Sequence, residues 1–204
     1  MKNKDLKRRI IEISYKHKLS HLGSCLTAVD IIKEIYDTKK EDEKFVLSSG
    51  HAALALYVVL ESKGGRSAEV AFEHHGVHPD RCMDCGIDCS SGSLGNGLPI
   101  AVGMALADRT KNVYCLISDG ECAEGSIQEA TDNITKQNIT NLKVYLNWNG
   151  WGAYDDTFLE PEHEAIKMVS TSLYAPWPEW LWGQEAHYRP VGESEYHELM
   201  EILK

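Results

Sequence analysis

Val113-Tyr114-Cys115-Leu116-Ile117-Ser118-Asp119-Gly120-Glu121 is an apolar run that stops at an acidic turn, and 28 residues separate Gly120 from a second turn, Asn149-Gly150. The run reads as a buried strand. Leu142 to Leu146 reads as another, and Ser126 to Gln137 between them has helical spacing. A strand–helix–strand unit of this length closes as a right-handed crossover, which makes its two strands parallel. Their carboxyl ends then lie side by side, at the edge where open α/β sheets bind ligands. An Asp carboxylate and an Asn carbonyl meeting there are hard oxygen donors suited to Mg²⁺ or Ca²⁺. Mg²⁺ takes its remaining ligands from water and from phosphates. The pair therefore reads as a metal-anchored diphosphate site, although either dipeptide alone is an ordinary turn.

Outward from this unit, helix and strand signals alternate. Asp5 to His17 has Leu6, Ile10 and Ile13 at helical spacing, and His21 to Ser24 interrupts the pattern. Thr27 with Asp30 is a capping-box signal that predicts a second helix to about Asp37. Phe45 to Ser48 reads as a short strand, and Ser49-Gly50-His51 leads into a helix ended by Gly64-Gly65. Residues 74–97 read as loop, and Leu98 to Asp108 as helix. Ser126 with Glu129 is a second capping-box signal. After Trp151 the pattern weakens until a closing helix from Glu195 to Lys204. Tyr174 to Trp182 holds three of the five Trp, as a loop on the core or a surface for a partner. The fold expected is α/β, a largely parallel sheet flanked by helices, in one domain over residues 1–204.

Composition narrows the function. Asp plus Glu outnumber Lys plus Arg by 31 to 21, a formal charge of −10, so no basic face for nucleic acid is evident. No segment reaches the ~20 apolar residues of a membrane span, and the N-terminus lacks the apolar core of a signal peptide. A cytoplasmic setting is expected, with Cys25, Cys82, Cys85, Cys89, Cys115 and Cys122 reduced.

Four segments in order resemble the diphosphate-binding part of transketolase, over roughly residues 6 to 152. They are Ser20-His21-Leu22-Gly23-Ser24, Phe45 to Ala53 with Gly50-His51, Gly92-Ser93-Leu94-Gly95-Asn96-Gly97, and Ser118-Asp119-Gly120-Glu121 with Glu124-Gly125 and Asn149-Gly150. The last is similar to the thiamine-diphosphate motif, with Ser118 at its first Gly. The resemblance implies a thiamine-diphosphate-binding fold, diphosphate-binding domain only, with Mg²⁺ on Asp119, Asn149 and the Trp151 carbonyl. It implies His51 and Gly120 at the diphosphate, Gly92, Ser93 and Leu94 along the cofactor rings, and His21 and His78 toward a sugar phosphate. Glu124 would sit at an interface between subunits. Gly92 and Gly95 would let backbone approach a flat ring. His17, His163, His187 and His197 read as surface or core histidines.

The family also uses a pyrimidine-binding domain whose Glu activates the cofactor, and no such segment lies within these residues. The stretch Gly64 to His74 is shorter than the family's, and residues 153–204 match it poorly. The implied function is the cofactor-binding subunit of a split transketolase, a homodimer or a heterotetramer with a pyrimidine-domain chain. The alternatives are part of a 1-deoxyxylulose-5-phosphate synthase-like enzyme, or a non-catalytic relic or regulatory subunit. Cys82-x2-Cys85-x3-Cys89, near His74, His75 and His78, has zinc-like local spacing but lacks a second pair. Free thiols are the plainer reading there.

Overall fold

Alternating strand residues decide the layering. The computed structural model describes residues 1–152, 157, 164–171, 173–183 and 185–204. In chain order the elements are α1 (Lys4–His17), α2 (Leu22–Thr38), β1 (Lys44–Leu47), α3 (Ala53–Ser62), α4 (Ala68–His75), α5 (Gly97–Ala107), β2 (Val113–Ser118), α6 (Gly125–Lys136), β3 (Leu142–Trp148), β4 (Ile166–Ser170), α7 (Glu185–Tyr188) and α8 (Glu193–Ile202). The strands form one parallel sheet in the order β1-β2-β3-β4. Because side chains point to opposite faces in turn, Val113, Cys115 and Ile117 enter a core with Val46, Val144, Leu146 and the inner faces of α5 and α6. Tyr114 and Leu116 join Phe45, Leu47 and the apolar faces of α1, α2 and α3 in the core on the other face. β2 is buried along its whole length, as a central strand of a parallel sheet must be.

The register pairs Ser118 with Asn147, so the chain leaves β2 and β3 at one edge, as the crossover argument requires. Boundaries shift from those predicted by a few residues at most, with two instructive exceptions. Thr27 opens no helix: α2 begins at Leu22, and the Thr27 hydroxyl donates to the Ser24 carbonyl (3.1 Å) while accepting from Asn147 Nδ2 (3.0 Å). Ser126 does not cap α6 either, its hydroxyl reaching the Gly95 carbonyl (2.9 Å). In both cases a tertiary partner outcompetes the local cap. The capping box is Ser118 with Glu121, at the end of β2.

Two elements were not legible in the sequence. β4 is a partly exposed edge strand, and α4 occupies the shortened segment before the cysteine loop. The Trp-rich stretch packs onto the α1–α3 core through Trp177 and Leu181, with Trp180 and Trp182 half-buried, which favours the packed-loop alternative. His163 lies outside the described residues. No helix among the described residues is long and apolar enough to cross a membrane.

Candidate functional site

Asp119 stands where β2 ends and is only 2% exposed. Its Oδ1 accepts from Gly120 N–H (3.0 Å). Its Oδ2 accepts from Asn149 N–H (3.1 Å), Gly150 N–H (2.7 Å) and the Thr157 hydroxyl (2.9 Å). The two strand ends are thus tied through one carboxylate. Burial pushes its pKa above the ordinary carboxylate range, against those donors, so a nearby cation would stabilise its charged form. Asn149 Oδ1 accepts from Trp151 N–H (2.9 Å), which folds the turn back toward Asp119.

Glu121, fully buried, was not singled out from sequence. Its carboxylate accepts from the Ser48 hydroxyl (2.5 Å), Gly95 N–H (3.0 Å) and Ser118 N–H (2.9 Å). One side chain therefore joins the ends of β1 and β2 to the glycine-rich loop. Burial raises its pKa as well. Its visible signal was the Ser118-x-x-Glu121 spacing. Asn147 has a similar role at the end of β3, between Thr27 and Thr171.

These elements border a cavity of about 230 Å³. His21, Ser49, His51, His78, Gly92, Leu94, Asp119, Gly120, Asn149 and Trp151 all line it, so most of the expected site residues converge. Ser93 and Glu124 do not; both are exposed outside it. His187, read as an ordinary histidine, is a correction. It lines the cavity, its ring 4.4 Å from that of His21 and 5.5 Å from that of His51. Its carbonyl also accepts from His21 N–H (2.8 Å). The chain returns there only through α7, more than 160 residues after His21, which no local pattern reveals.

Burial, reinforced by the neighbouring imidazoles, lowers the pKa of His21 to about 4 and that of His51 to about 3. Both are neutral at pH 7. Such groups are poor proton acceptors there and act as hydrogen-bonding contacts instead of the proton shuttles their residue type suggests. An anion in the cavity would raise both values.

The protein's own packing also constrains Gly92 and Gly95. A side chain at Gly92 would press on the His78 ring (3.2 Å), not on open space. At Gly95, φ is +80° and a Cβ would meet Ser126 Oγ at 2.4 Å and Glu124 Cβ at 2.8 Å. Protein packing, together with a left-handed backbone, demands glycine there.

The site fits a metal-anchored diphosphate. Its carboxylate and amide carbonyl are oxygen donors of the right hardness. The buried Ser49 Oγ and His21 Nδ1, both on residues lining the cavity, have no hydrogen-bond partner among the described residues.

The expectation that all six cysteines are reduced needs a further correction. Cys82 and Cys85 form a disulfide, whereas Cys25, Cys89, Cys115 and Cys122 are free. Cys89 is buried away from that pair, its thiol on the Ser90 carbonyl (3.1 Å).

Residues 15–157 match the family model described as transketolase, thiamine diphosphate binding domain. The chain is 36% identical over 163 residues to an apulose-4-phosphate transketolase subunit of Phocaeicola vulgatus, covering 70% of this chain and 58% of that protein. It is 32% identical over 164 residues to the 6-deoxy-6-sulfo-D-fructose transketolase subunit SqwG of a Clostridium species, covering 71% and 60%. The chain thus matches less than two thirds of the length of either relative. The crystal structure of transketolase from Campylobacter jejuni superposes with a TM-score of 0.73 at 19% identity, over 100% of this chain and 43% of that one. That likeness establishes the fold.

Proposed function

The chain belongs to the transketolase family through its thiamine-diphosphate-binding domain, and from that premise we propose that it is the cofactor-binding subunit of a split transketolase. With a partner carrying the pyrimidine-binding domain it transfers a two-carbon ketol unit between sugar phosphates, in the cytoplasm. The observation that carries this reading is the meeting of Asp119 and Asn149 at adjacent strand ends, beside a cavity lined by His21, His51 and His187.

In this reading Asp119, Asn149 and the Trp151 carbonyl hold Mg²⁺. Gly120 N–H and neutral His51 bind the diphosphate, and Gly92 and Leu94 border the rings. Bound thiamine diphosphate supplies the carbanion chemistry of ketol transfer. This chain's residues bind and orient. His21 and His78, joined by His187, present imidazole nitrogens to sugar hydroxyls, and Glu121 holds the loop and strand ends in register.

Assembly is supported by α5. Its eleven residues, Gly97–Ala107, include no charged or hydrogen-bonding side chain. Only one face packs inward, through Leu98, Ala101, Val102 and Ala105, while Pro99, Ile100, Gly103 and Leu106 are exposed. A helix apolar all round belongs in an interior, and the exposed face adjoins the glycine-rich loop. Covering it with a second copy or with the partner gives a homodimer or a heterotetramer with closed symmetry. Relatives that are named as transketolase subunits point the same way.

The test is calorimetry with thiamine diphosphate and Mg²⁺, followed by a ketol-transfer assay of the chain alone and mixed with a pyrimidine-domain partner. Mg²⁺-dependent binding is expected, with turnover only in the mixture. Robust turnover by the lone chain would overturn the split-site reading. Binding that never leads to turnover with any partner would favour a regulatory role.

A further inference from the structure

Between α4 and the glycine-rich loop lie three side chains for which the proposed function has no use. His75 ends α4, and Cys82 and Cys85 bracket a single helical turn. Paired hydrogen bonds close that turn, Cys82 N–H to the Ile87 carbonyl and Ile87 N–H to the Cys82 carbonyl, both 2.9 Å. His75 Nε2 lies 3.3 Å from Cys85 Sγ. That nitrogen and the two sulfurs all fall within 4.8 Å of one another, on half-buried residues.

We propose that the reduced chain binds one zinc ion through His75 Nε2, Cys82 Sγ and Cys85 Sγ, and that this site staples the loop presenting His78 to the cavity. Two thiolates and an imidazole are the donors zinc favours, and two cysteines separated by two residues in a tight turn present both sulfurs to one ion. Three protein ligands leave a fourth position for water. Burial holds the His75 imidazole below its ordinary pKa, so its lone pair is available at neutral pH. Edge-to-face contact with the His74 ring, centroids 4.5 Å apart, fixes its plane.

Residues 76–81 run from the first ligand to the second and carry His78. Their other hydrogen bonds include Gly76 N–H on the Phe72 carbonyl (2.7 Å), Tyr57 Oη on the Gly76 carbonyl (3.2 Å), Ser91 N–H on the Pro79 carbonyl (3.1 Å) and Arg81 N–H on Ser90 Oγ (2.7 Å). Joining His75 to Cys82 and Cys85 pins both ends of that span.

The disulfide and the metal are alternative states of the same two sulfurs. Opening the Cys82–Cys85 bond takes two electrons and two protons from a dithiol, which leaves as its own disulfide. Zinc then displaces a proton from each thiol as two Zn–S bonds form.

The test uses the full chain, reduced with a dithiol, desalted anaerobically and titrated with Co²⁺ as the spectroscopic substitute for Zn²⁺. Thiolate-to-cobalt charge-transfer absorption should saturate at a single equivalent and be bleached by Zn²⁺. It should be lost in Cys82→Ser and Cys85→Ser and weakened about 10-fold or more in His75→Ala. Cys89→Ser should leave it unchanged. In the unsubstituted chain, Zn²⁺ should shield Cys82 and Cys85 from alkylation and slow amide exchange across residues 76–81. Lack of the absorption or of the shielding, with both thiols shown to be free, would overturn the proposal. So would a loss of the absorption in Cys89→Ser equal to that in Cys82→Ser. Thiamine-diphosphate binding, which uses other residues, is measured in the same samples and is judged separately.

Discussion

The two walls of the cavity satisfy their polar atoms in opposite ways. On the carboxylate wall, Asp119 and Glu121 are each held by at least three donors from the protein itself. On the imidazole wall, His21, His51 and His187 stand ring against ring, and His21 Nδ1 has no partner among the described residues. The first wall is built by the fold and is rigid before any ligand arrives. The second leaves hydrogen-bonding capacity for a guest. A metal–diphosphate group would find its anchor preformed and its surroundings adaptable, which reduces the ordering cost of binding.

Asp119→Ala should break the contrast most severely. Mg²⁺-dependent thiamine-diphosphate affinity, measured by calorimetry, should fall beyond the ~10–100-fold that outer partners of a metal site cost. The circular dichroism of the fold should persist. An unchanged affinity would rule out the metal assignment.

Glu121→Ala separates architecture from ligand contact. It strands the Ser48 hydroxyl and the Gly95 and Ser118 N–H groups, but it also removes a carboxylate whose burial is itself unfavourable. The unpaired donors, the Ser118 hydroxyl among them, outweigh that relief, for a net loss of about 2–4 kcal/mol in urea unfolding. A loss under about 1 kcal/mol would mean that this wall is not preorganised by Glu121.

On the imidazole wall the probe is pH. His51 has its folded pKa lowered from 6.5 to about 3 and His21 to about 4, so folding favours the neutral form. Their contribution to stability is complete above pH 6.5, is lost progressively as pH falls from 6.5 toward the folded values, and is gone below them. For His51 this amounts to about 2 kcal/mol between pH 7 and 5. Thermal unfolding of His51→Gln across that range should show a shallower acid slope than the unsubstituted chain. Equal slopes would mean that His51 does not couple to folding.

The smallest effect belongs to His78→Ala. His78 is exposed, with its ring beside Gly92, so stability should change by no more than about 0.5 kcal/mol, while KM for a sugar phosphate in the reconstituted assembly rises. A large stability loss would place His78 in the architecture and not at the substrate.

The carboxylate wall was largely readable in the chain because its logic is local. A strand, a crossover helix and a second strand put Asp119 and Asn149 at one edge whatever surrounds them. Even Glu121 has a sequence signal in its cap spacing with Ser118, obscured because Thr27 and Ser126 offer the same signal at places where tertiary partners take their hydroxyls. The imidazole wall was half legible. His21 and His51 follow recognisable turns, but His187 is brought in from α7 by packing of the last third of the chain, where β4 also went unseen because a half-exposed edge strand has no strong alternation. The cysteines divide in the same way. Spacing alone suggested Cys82, Cys85 and Cys89 together, yet the turn that gathers the first two sends Cys89 into the core and draws in His75 from a preceding helix.

Hydrophobic period and turn chemistry act over a few residues, so the sequence by itself determined the parallel sheet, the crossover and the residues at its carboxyl edge. Contacts between segments a hundred residues apart depend on how whole faces pack. Only the tertiary structure could therefore decide which histidine completes the cavity, which glycines are packed by protein and which sulfurs meet.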